Sequence, residues 1–246
     1  MSARNPTAPP VLALWSAPRS RSTAFLRMMR ERGDHTVLHE PFSHVVNFGR
    51  TEVDGRPVHG ETELIAAIRA LGHREPVFFK DTTDYHYPGL LGHAEFLREA
   101  RHTFIIREPA EVIASHFALN RDLGLAEIGI ERLHEIYQAV HAATGERPVV
   151  VTAEDLIARP RQTVRAYCSA VGIPFRAEAM TWQPAVLPEW RSTLRWHGAT
   201  SRTSGFTELA STYPDTVHNN PVLAGYLEHH LPYYTDLLRY RLLVPA

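Results

Sequence analysis

The sequence predicts an α/β fold in which helices flank a central, mainly parallel β-sheet. Short apolar runs alternate with segments of helical periodicity, and this alternation favours parallel strands joined by right-handed crossovers. Polar or turn-forming residues end each apolar run, which limits the runs to the length of strands. The 246 residues are enough for one sizeable core. We therefore expect a single domain over residues 1–246.

The first predicted unit is a buried strand followed by a basic loop and a helix. The strand covers residues 12–15, and Pro18 is biased against continuing it. The loop consists of arginine and hydroxyl side chains, namely Arg19, Ser20, Arg21, Ser22 and Thr23. A helix N-terminus has unpaired backbone N–H groups at the positive end of its dipole, so this loop should bind phosphate or sulfate. The loop lacks the glycines and lysine of a Walker A sequence, so an ordinary capped helix with solvated arginines is the alternative.

Four more strands are predicted, at residues 36–39, 77–79, 102–106 and 149–151. Glu40 follows the first of these, Lys80 the second and Arg107 the third. Open parallel sheets bind ligands at the carboxyl ends of their strands, so these three side chains should lie at the same edge as the basic loop. Helical patterns are found at residues 61–71, 131–143, 161–171 and 221–242, the last interrupted at Pro232.

Three stretches fall outside this alternation. Residues 1–10 contain three prolines and no apolar periodicity, so we expect a loose leader. Residues 43–75 form a longer insertion punctuated by glycines, which we interpret as a candidate lid. Residues 176–219 are aromatic and irregular, which indicates an ordered cover over the sheet edge and the substrate.

The composition narrows the function classes. The net charge of −1 comes from 26 basic and 27 acidic side chains, which argues against a general nucleic-acid or membrane-surface binder. The N-terminus lacks the apolar segment of a signal peptide and no apolar stretch is long enough to span a bilayer, so we expect a cytoplasmic protein. Cys168 is the single cysteine, which excludes an intrachain disulfide. The fifteen histidines fit neither an HExxH nor a paired-cysteine pattern, so no metal site is predicted. These properties are compatible with a homodimer.

Two segments resemble the anion-binding motifs of a known enzyme family. PRSRST at residues 18–23 and REPAEVIAS at residues 107–115 resemble the motifs of bacterial and cytosolic-type sulfotransferases that use 3′-phosphoadenosine-5′-phosphosulfate, PAPS. The resemblance implies that the loop from Arg19 to Thr23 binds the 5′-phosphosulfate, and that Arg107 and Ser115 bind the 3′-phosphate. It also implies a three-layer P-loop-like fold, PAPS as the co-substrate and no metal.

Later segments extend the resemblance to about residues 11–242. Residues 152–175 resemble the family's Tyr-Glu-Asp-Leu segment with the helix after it, and residues 229–242 resemble its C-terminal helix. TSRTSGF at residues 200–206 resembles the loop that closes over the 3′-phosphate side. This likeness implies binding roles for Ser201, Arg202, Ser204 and Gly205.

Three positions depart from the family pattern. Arg21 stands where the loop usually has glycine, so either this backbone position does not need a positive φ or phosphate binding is altered. Ala24 replaces the aromatic residue that often stacks on adenine, and Ala153 replaces the tyrosine of the Tyr-Glu-Asp segment. Adenine must then be recognised elsewhere, and the region between Trp182 and Trp196 is our candidate.

Sulfuryl transfer requires an in-line acceptor, stabilised equatorial oxygens and a neutralised bridging oxygen. The resemblance assigns the equatorial oxygens to Arg19, Ser22 and Thr23. It assigns the leaving group to Lys80, for which a surface lysine at a strand end is the alternative.

A hydroxyl acceptor also requires a general base within hydrogen-bond reach. Glu40, 21 positions after Arg19, resembles the glutamate that serves as base in several bacterial members of the family. His86, six residues beyond Lys80, is the second candidate, because other members use a histidine in this segment. The alternative for Glu40 is a structural or helix-capping carboxylate.

The expected function is transfer of a sulfuryl group from PAPS to a hydroxyl of a small organic acceptor. An alcohol or phenol is favoured because the aromatic and histidine-rich segments at residues 42–48, 85–87 and 182–197 could form the acceptor pocket. Three alternatives stay open: an enzyme of the same fold that uses activated sulfate for elimination, a phosphotransferase, and a non-catalytic nucleotide-binding module.

Overall fold

The structure, a computed structural model, describes residues 9–198, 200–208 and 212–244. Most of the predicted leader, residues 1–8, lies outside this part of the chain. The described strands are β1 Val11–Ser16, β2 Thr36–His39, β3 Thr51–Val53, β4 Arg56–Val58, β5 Val77–Thr82, β6 Arg101–Ile106 and β7 Val149–Thr152. Five of them form one parallel sheet in the order β2-β5-β1-β6-β7, and β3 pairs with β4 in a separate antiparallel hairpin. The predicted fold class and all five predicted sheet strands are confirmed.

Helices surround this sheet. They are α1 Ser22–Arg32, α2 Pro41–Phe48, α3 Glu61–Arg74, α4 Pro88–Leu91, α5 Ala94–Glu99, α6 Pro109–Phe117, α7 Ile130–Thr144, α8 Ala153–Ala158, α9 Pro160–Val171, α10 Leu194–His197 and α11 Pro221–Arg239. The interruption predicted at Pro232 is wrong, because α11 continues through it. The proline removes one backbone donor, but packing of α11 against α6 and α7 holds the helix together. Within the described residues, none of these helices combines the length and the apolar character needed to cross a bilayer.

The central strand β1 shows how the sequence forms three layers. All of its residues are buried, and alternate side chains point to opposite faces of the sheet. Val11, Ala13 and Trp15 belong to the core that α3, α5, α7 and α11 cover. Leu12 and Leu14 belong to the second core, beneath α1 and α9. A strand buried on both faces reads as a continuous apolar run, which is why β1 is recognisable in the sequence.

The predicted lid over residues 43–75 is only partly accessible. Ile65 and Ile68 of α3 are fully buried, and Val53 and Val58 of the β3–β4 hairpin pack in the same core. The reason is topological: β2 and β5 are parallel neighbours, so the chain between them must cross over the sheet, and α3 covers it. Only α2, at the start of the stretch, borders the cleft described below.

The predicted cover over residues 176–219 packs firmly on α1. Trp182 and Trp190 are buried in the second core, and the Arg27 guanidinium of α1 donates a hydrogen bond to the Gln183 carbonyl at 2.8 Å. The first part of this segment is therefore core. Of the later described residues, the cleft is bordered by Arg195, Trp196, Thr200, Thr203, Gly205 and Thr207.

Gly129 joins the start of α7 to the sheet and should not tolerate a side chain. Its φ is +81°, a Cβ there would lie 2.8 Å from the Thr83 carbonyl oxygen, and its own carbonyl accepts a hydrogen bond from Thr83 Oγ1 at 2.7 Å. Gly145 is the matched control, because its φ is +73° but nothing lies within 4 Å of the added Cβ. We expect Gly145→Ala to cost about 1 kcal/mol of unfolding free energy, and Gly129→Ala about 1–3 kcal/mol more. Urea unfolding measures both, and equal losses would contradict the close contact at Thr83.

Candidate active site

A cleft of about 340 Å³ opens at the carboxyl ends of the parallel strands. This volume is within the usual range of small-molecule sites. The loop after β1, Glu40 after β2, the end of β5 and Arg107 after β6 all border it. The strand order changes direction beside β1, so the cleft occupies the topological switch point where open α/β sheets bind ligands.

The basic loop turns from β1 into α1 through two residues with left-handed backbone conformation. Arg19 has φ 66° and Arg21 has φ 64°. The position where glycine is usual therefore adopts a positive φ here, although it holds arginine. Such a conformation costs about 1–2 kcal/mol for a residue with a side chain. Arg107 offsets part of this cost, because its Nη1 donates a hydrogen bond to the Arg19 carbonyl at 2.9 Å.

The N-terminus of α1 is suited to an anion. Arg21 occupies the N-cap position without a side-chain cap, and no acidic residue lies in the first turn. Ser22 and Thr23 border the cleft, and Ser22 Oγ accepts a hydrogen bond from Ser16 Oγ at 2.8 Å. Ser20 Oγ is buried with no hydrogen-bond partner among the described residues. This turn therefore presents the positive end of the α1 dipole, with no acidic side chain in its first turn, to an anionic ligand.

Arg19 bridges the two predicted anion sites. Its Nε donates to Ser115 Oγ at 3.0 Å and its Nη1 donates to the Trp196 carbonyl at 2.7 Å. Burial, together with the charge of Arg107, lowers the pKa of Arg19. Burial and the charges of Arg19 and Arg195 lower the pKa of His116 to about 4, so this imidazole is neutral near pH 7. The positive groups here are close enough to repel one another, and an anion would relieve that repulsion.

The opposite wall of the cleft carries a buried ion pair. Lys80 Nζ donates to Glu40 Oε1, and both residues are almost entirely buried. Lys80 lies within β5, beside His39 of β2, because the strand continues three residues beyond its predicted end. Glu40 follows β2 with φ 48°, and its N–H donates to the Lys80 carbonyl at 2.7 Å. Backbone and side chain together hold Glu40 against Lys80.

Asp81 explains why Glu40 is not a helix cap. Glu40 occupies the N-cap position of α2 but its side chain caps no N–H group. The Asp81 carboxylate caps α2 instead. Its Oδ2 accepts from the Phe42 N–H at 2.6 Å, while its Oδ1 accepts from the Ser43 N–H at 3.2 Å and from Ser43 Oγ at 2.6 Å. Burial raises the pKa of Asp81 to about 7, and the bonds from Ser43 and Phe42 oppose that rise. Capping from β5 leaves the Glu40 carboxylate directed at Lys80.

The family follows from a comparison with known proteins. A family model described as a sulfotransferase domain matches residues 11–239. The chain belongs to the sulfotransferase domain family. The resemblance that the two anion motifs predicted is thus confirmed.

Several known proteins of less than 30% sequence identity are also similar to this sulfotransferase domain. The sulfotransferase domain from the curacin biosynthetic pathway is 16% identical, with 96% of this chain and 99% of that chain covered and a TM-score of 0.46. Mouse sulfotransferase SULT7A1 complexed with PAP is 11% identical, with 94% and 88% covered and a TM-score of 0.46. Branched-chain-amino-acid aminotransferase-like proteins 2 and 1 of Arabidopsis thaliana are 29% and 28% identical over 92% and 93% of this chain. The chain spans 41% and 42% of the length of these two relatives.

Several sequence-predicted residues of the sulfotransferase domain lie where a ligand would need them. Within the described part of the chain, the cleft brings together Arg19, Arg21, Ser22, Thr23, Glu40, Lys80, Arg107, Ser115 and Gly205. Asp81 was not predicted, whereas Ser43 and His44 lie in the segment 42–48 that was predicted to form part of the acceptor pocket. Asp81 reads as the start of a polar loop in the sequence, and only its partners across the sheet reveal its role.

Other predicted residues lie elsewhere. Ser201 Oγ donates to the Gly198 carbonyl at 2.9 Å and closes a short helical turn, while Arg202 and Ser204 are exposed and are not among the described residues that border the cleft. Thr200 and Thr203 border it instead. Sequence likeness located the loop but not which of its side chains turn inwards.

His86, the second candidate base, does not reach the cleft. Its side chain is half exposed, and Nε2 lies 3.6 Å from Glu135 Oε2 of α7. Because β5 continues to Thr82, the chain turns later than predicted and Tyr85 borders the cleft in place of His86. The prediction that His86 could serve as base is not supported by this position.

The proposed adenine region also needs correction. Trp182 and Trp190 fill the second core, and of the three tryptophans in this segment only Trp196 is among the described residues bordering the cleft. Ala24 and Ile157 border the cleft as well. The small and aliphatic side chains of Ala24 and Ile157 thus form part of the cleft wall, although an aromatic side chain was expected to contact adenine.

Asp81→Asn should disturb the first turn of α2 more than Ser43→Ala does. The asparagine amide would set an N–H donor against the Phe42 or Ser43 N–H, which leaves a buried donor unsatisfied and costs about 1–3 kcal/mol. Ser43→Ala removes one hydroxyl donor and leaves the backbone contacts to Asp81, so it should cost about 0.5–1.5 kcal/mol. Urea unfolding compares the two variants. A smaller loss in Asp81→Asn than in Ser43→Ala would show that Asp81 does not hold α2.

Proposed function

We propose that this domain transfers a sulfuryl group from PAPS to a hydroxyl of a small organic acceptor. The observation that carries the proposal is the position of the Glu40–Lys80 ion pair. It borders the same cleft as the basic loop after β1 and as Arg107 with Ser115, the two predicted anion sites. A donor with two anionic groups on one nucleotide matches two basic sites on one sheet edge.

The donor would extend along the loop after β1. Its phosphosulfate would meet the N-terminus of α1, Ser22 and Thr23, and its 3′-phosphate would meet Arg107 and Ser115. The side chain of Arg19 already contacts Ser115 and lies between these two sites. We therefore assign Arg19 to both anionic groups of the donor, rather than to the phosphosulfate alone.

The chemical step would use the opposite wall. The acceptor oxygen attacks sulfur, a new S–O bond forms, and the S–O bond to the 5′-phosphate breaks. The acceptor proton passes to Glu40, while Lys80 moves from Glu40 to the bridging oxygen and neutralises the charge that develops there. The contact between the two side chains before the reaction keeps both groups in position.

The acceptor would enter along α2. The cleft is bordered there by Ser43, His44, Asn47 and Phe48, and Tyr85 borders the same cleft. Two aromatic rings among hydroxyl, amide and imidazole groups suit a small alcohol or phenol better than a polyanionic sugar chain.

Calorimetry tests the donor before any acceptor is known. The purified protein is titrated with 3′-phosphoadenosine-5′-phosphate, and with adenosine-5′-phosphate and ATP for comparison. Selective binding of the bisphosphate supports the proposal, and an acceptor screen with PAPS then follows. The product mass separates a sulfate ester from an elimination product. Preference for ATP, or no binding of the bisphosphate, would overturn PAPS as the donor.

A further inference from the structure

We infer that His39, Glu40 and His44 form a binding site for one divalent transition-metal ion, such as zinc, beside the proposed catalytic base. One ligand atom of each residue lies within 4.8 Å of the other two. Two imidazoles and one carboxylate are a donor set that zinc commonly uses in proteins. The sequence did not predict this site, because H-E-P-F-S-H is one residue longer than the HExxH pattern.

The local fold compensates for the extra residue. His39 ends β2, Glu40 reverses the chain with its positive φ, and α2 begins at the next residue. The His44 N–H donates to the Glu40 carbonyl at 2.9 Å, so His44 lies one turn into the helix, above the carboxylate. The two imidazole rings are 5.7 Å apart between centroids and inclined at 69°. A strand end and a helical turn thus direct both rings to the same carboxylate.

The chemistry of His44 points to a ligand. Its Nε2 is shielded from solvent and has no hydrogen-bond partner among the described residues. Tetrahedral zinc holds its ligand atoms about 3.3 Å apart, so small side-chain rotations would close the present spacing. The fourth coordination position would be left to water from the cleft.

Lys80 determines which ions can bind. Its ammonium contacts the same Glu40 oxygen that lies 3.5 Å from His39 Nε2. An ion must displace this contact or use the second carboxylate oxygen, so most of its binding energy has to come from the imidazoles. Zn²⁺ and Co²⁺ bind imidazole well, whereas Mg²⁺ prefers oxygen ligands and retains its waters. We therefore expect zinc to bind and magnesium not to bind.

The consequence for catalysis rests on the proposed function. A zinc ion on Glu40 occupies the carboxylate that would accept the acceptor proton, so zinc should inhibit sulfuryl transfer. Inhibition should be reversed by a chelator. Metal binding itself requires neither nucleotide nor turnover, and it is measured separately.

Calorimetric titration of the metal-free, full chain with ZnCl₂ tests the site. We expect one zinc ion per chain, no heat of binding with MgCl₂, and visible absorption of a tetrahedral complex with CoCl₂. His44→Ala should weaken zinc binding at least about tenfold. His229→Ala is the matched control, because His229 Nε2 of α11 also contacts a carboxylate, Glu131 Oε2 of α7, at 2.9 Å, and neither residue borders the cleft. This control should bind zinc as the unmodified protein does.

Two outcomes would overturn the site: no zinc binding by the unmodified protein, or equal zinc affinity in His44→Ala and the unmodified protein. If His44→Ala does not fold, Glu40→Gln decides, since it keeps the shape of the side chain and should also weaken zinc binding at least about tenfold. Failure of the proposed function is distinguishable. Zinc binding without bisphosphate binding would support the metal site and reject PAPS as the donor. Bisphosphate binding without zinc binding would support the donor and reject the metal site.

Discussion

Glu40→Gln should lower the kcat of sulfuryl transfer by about 10²–10⁴-fold, the usual contribution of a general base. The affinity for 3′-phosphoadenosine-5′-phosphate should be nearly unchanged. The glutamine carbonyl can still accept the hydrogen bond from Lys80, so the wall of the cleft is preserved while the proton acceptor is lost. Steady-state rates with PAPS and the acceptor found by screening give kcat, and calorimetry gives the nucleotide affinity.

His86→Ala is the matched variant for this prediction. His86 pairs with Glu135 at the exposed surface, so its removal should leave kcat as in the unmodified protein. Loss of activity in His86→Ala, together with full activity in Glu40→Gln, would show that His86 and not Glu40 is the general base. Full activity in both variants would mean that the acceptor loses its proton without a protein base.

Arg107→Ala should weaken binding of 3′-phosphoadenosine-5′-phosphate by roughly 10–100-fold, the effect of a lost hydrogen bond to a charged group. Binding of adenosine-5′-phosphate, which has no 3′-phosphate, should change little. Arg107 also donates to the Arg19 carbonyl, so it supports the left-handed turn of the basic loop. Calorimetry with both nucleotides separates the two roles.

Equal losses for the two nucleotides would show that Arg107 acts by holding the loop and does not bind the 3′-phosphate. Arg202→Ala is the control, since Arg202 belongs to the sequence motif of the late loop but is exposed outside the cleft. It should keep the affinity within about twofold.

Sequence patterns were sufficient to predict the sheet, because a strand that is buried on both faces is a short apolar run in the sequence. Residues 12–15 are an apolar run of strand length, the predicted strand at 102–106 ends in Phe-Ile-Ile, and polar residues or proline follow both. The pattern failed at Lys80 and Asp81, which continue a buried strand although both have ionisable side chains. Their partners, Glu40 and Ser43, lie about 40 residues earlier, and no local rule places them together.

The candidate site, like the sheet, was predictable in part from the sequence. Motif likeness located the loop at residues 19–23 and Glu40, because each directly follows a predicted strand. It could not predict that Arg21 adopts a positive φ, since that conformation is imposed by the turn into α1. Nor could it predict which side chains of residues 200–206 turn inwards, because irregular segments carry no periodicity.

The capping of α2 from a neighbouring strand separates two tasks along one short helix. Its first turn is fixed by Asp81, whereas its last turn carries Asn47 and Phe48, and Phe48 is 49% exposed. Substitutions at the far end can therefore reshape the entrance for different acceptors while the reacting groups keep their spacing. Diversification of specificity, in natural descendants or in the laboratory, should concentrate at these two positions.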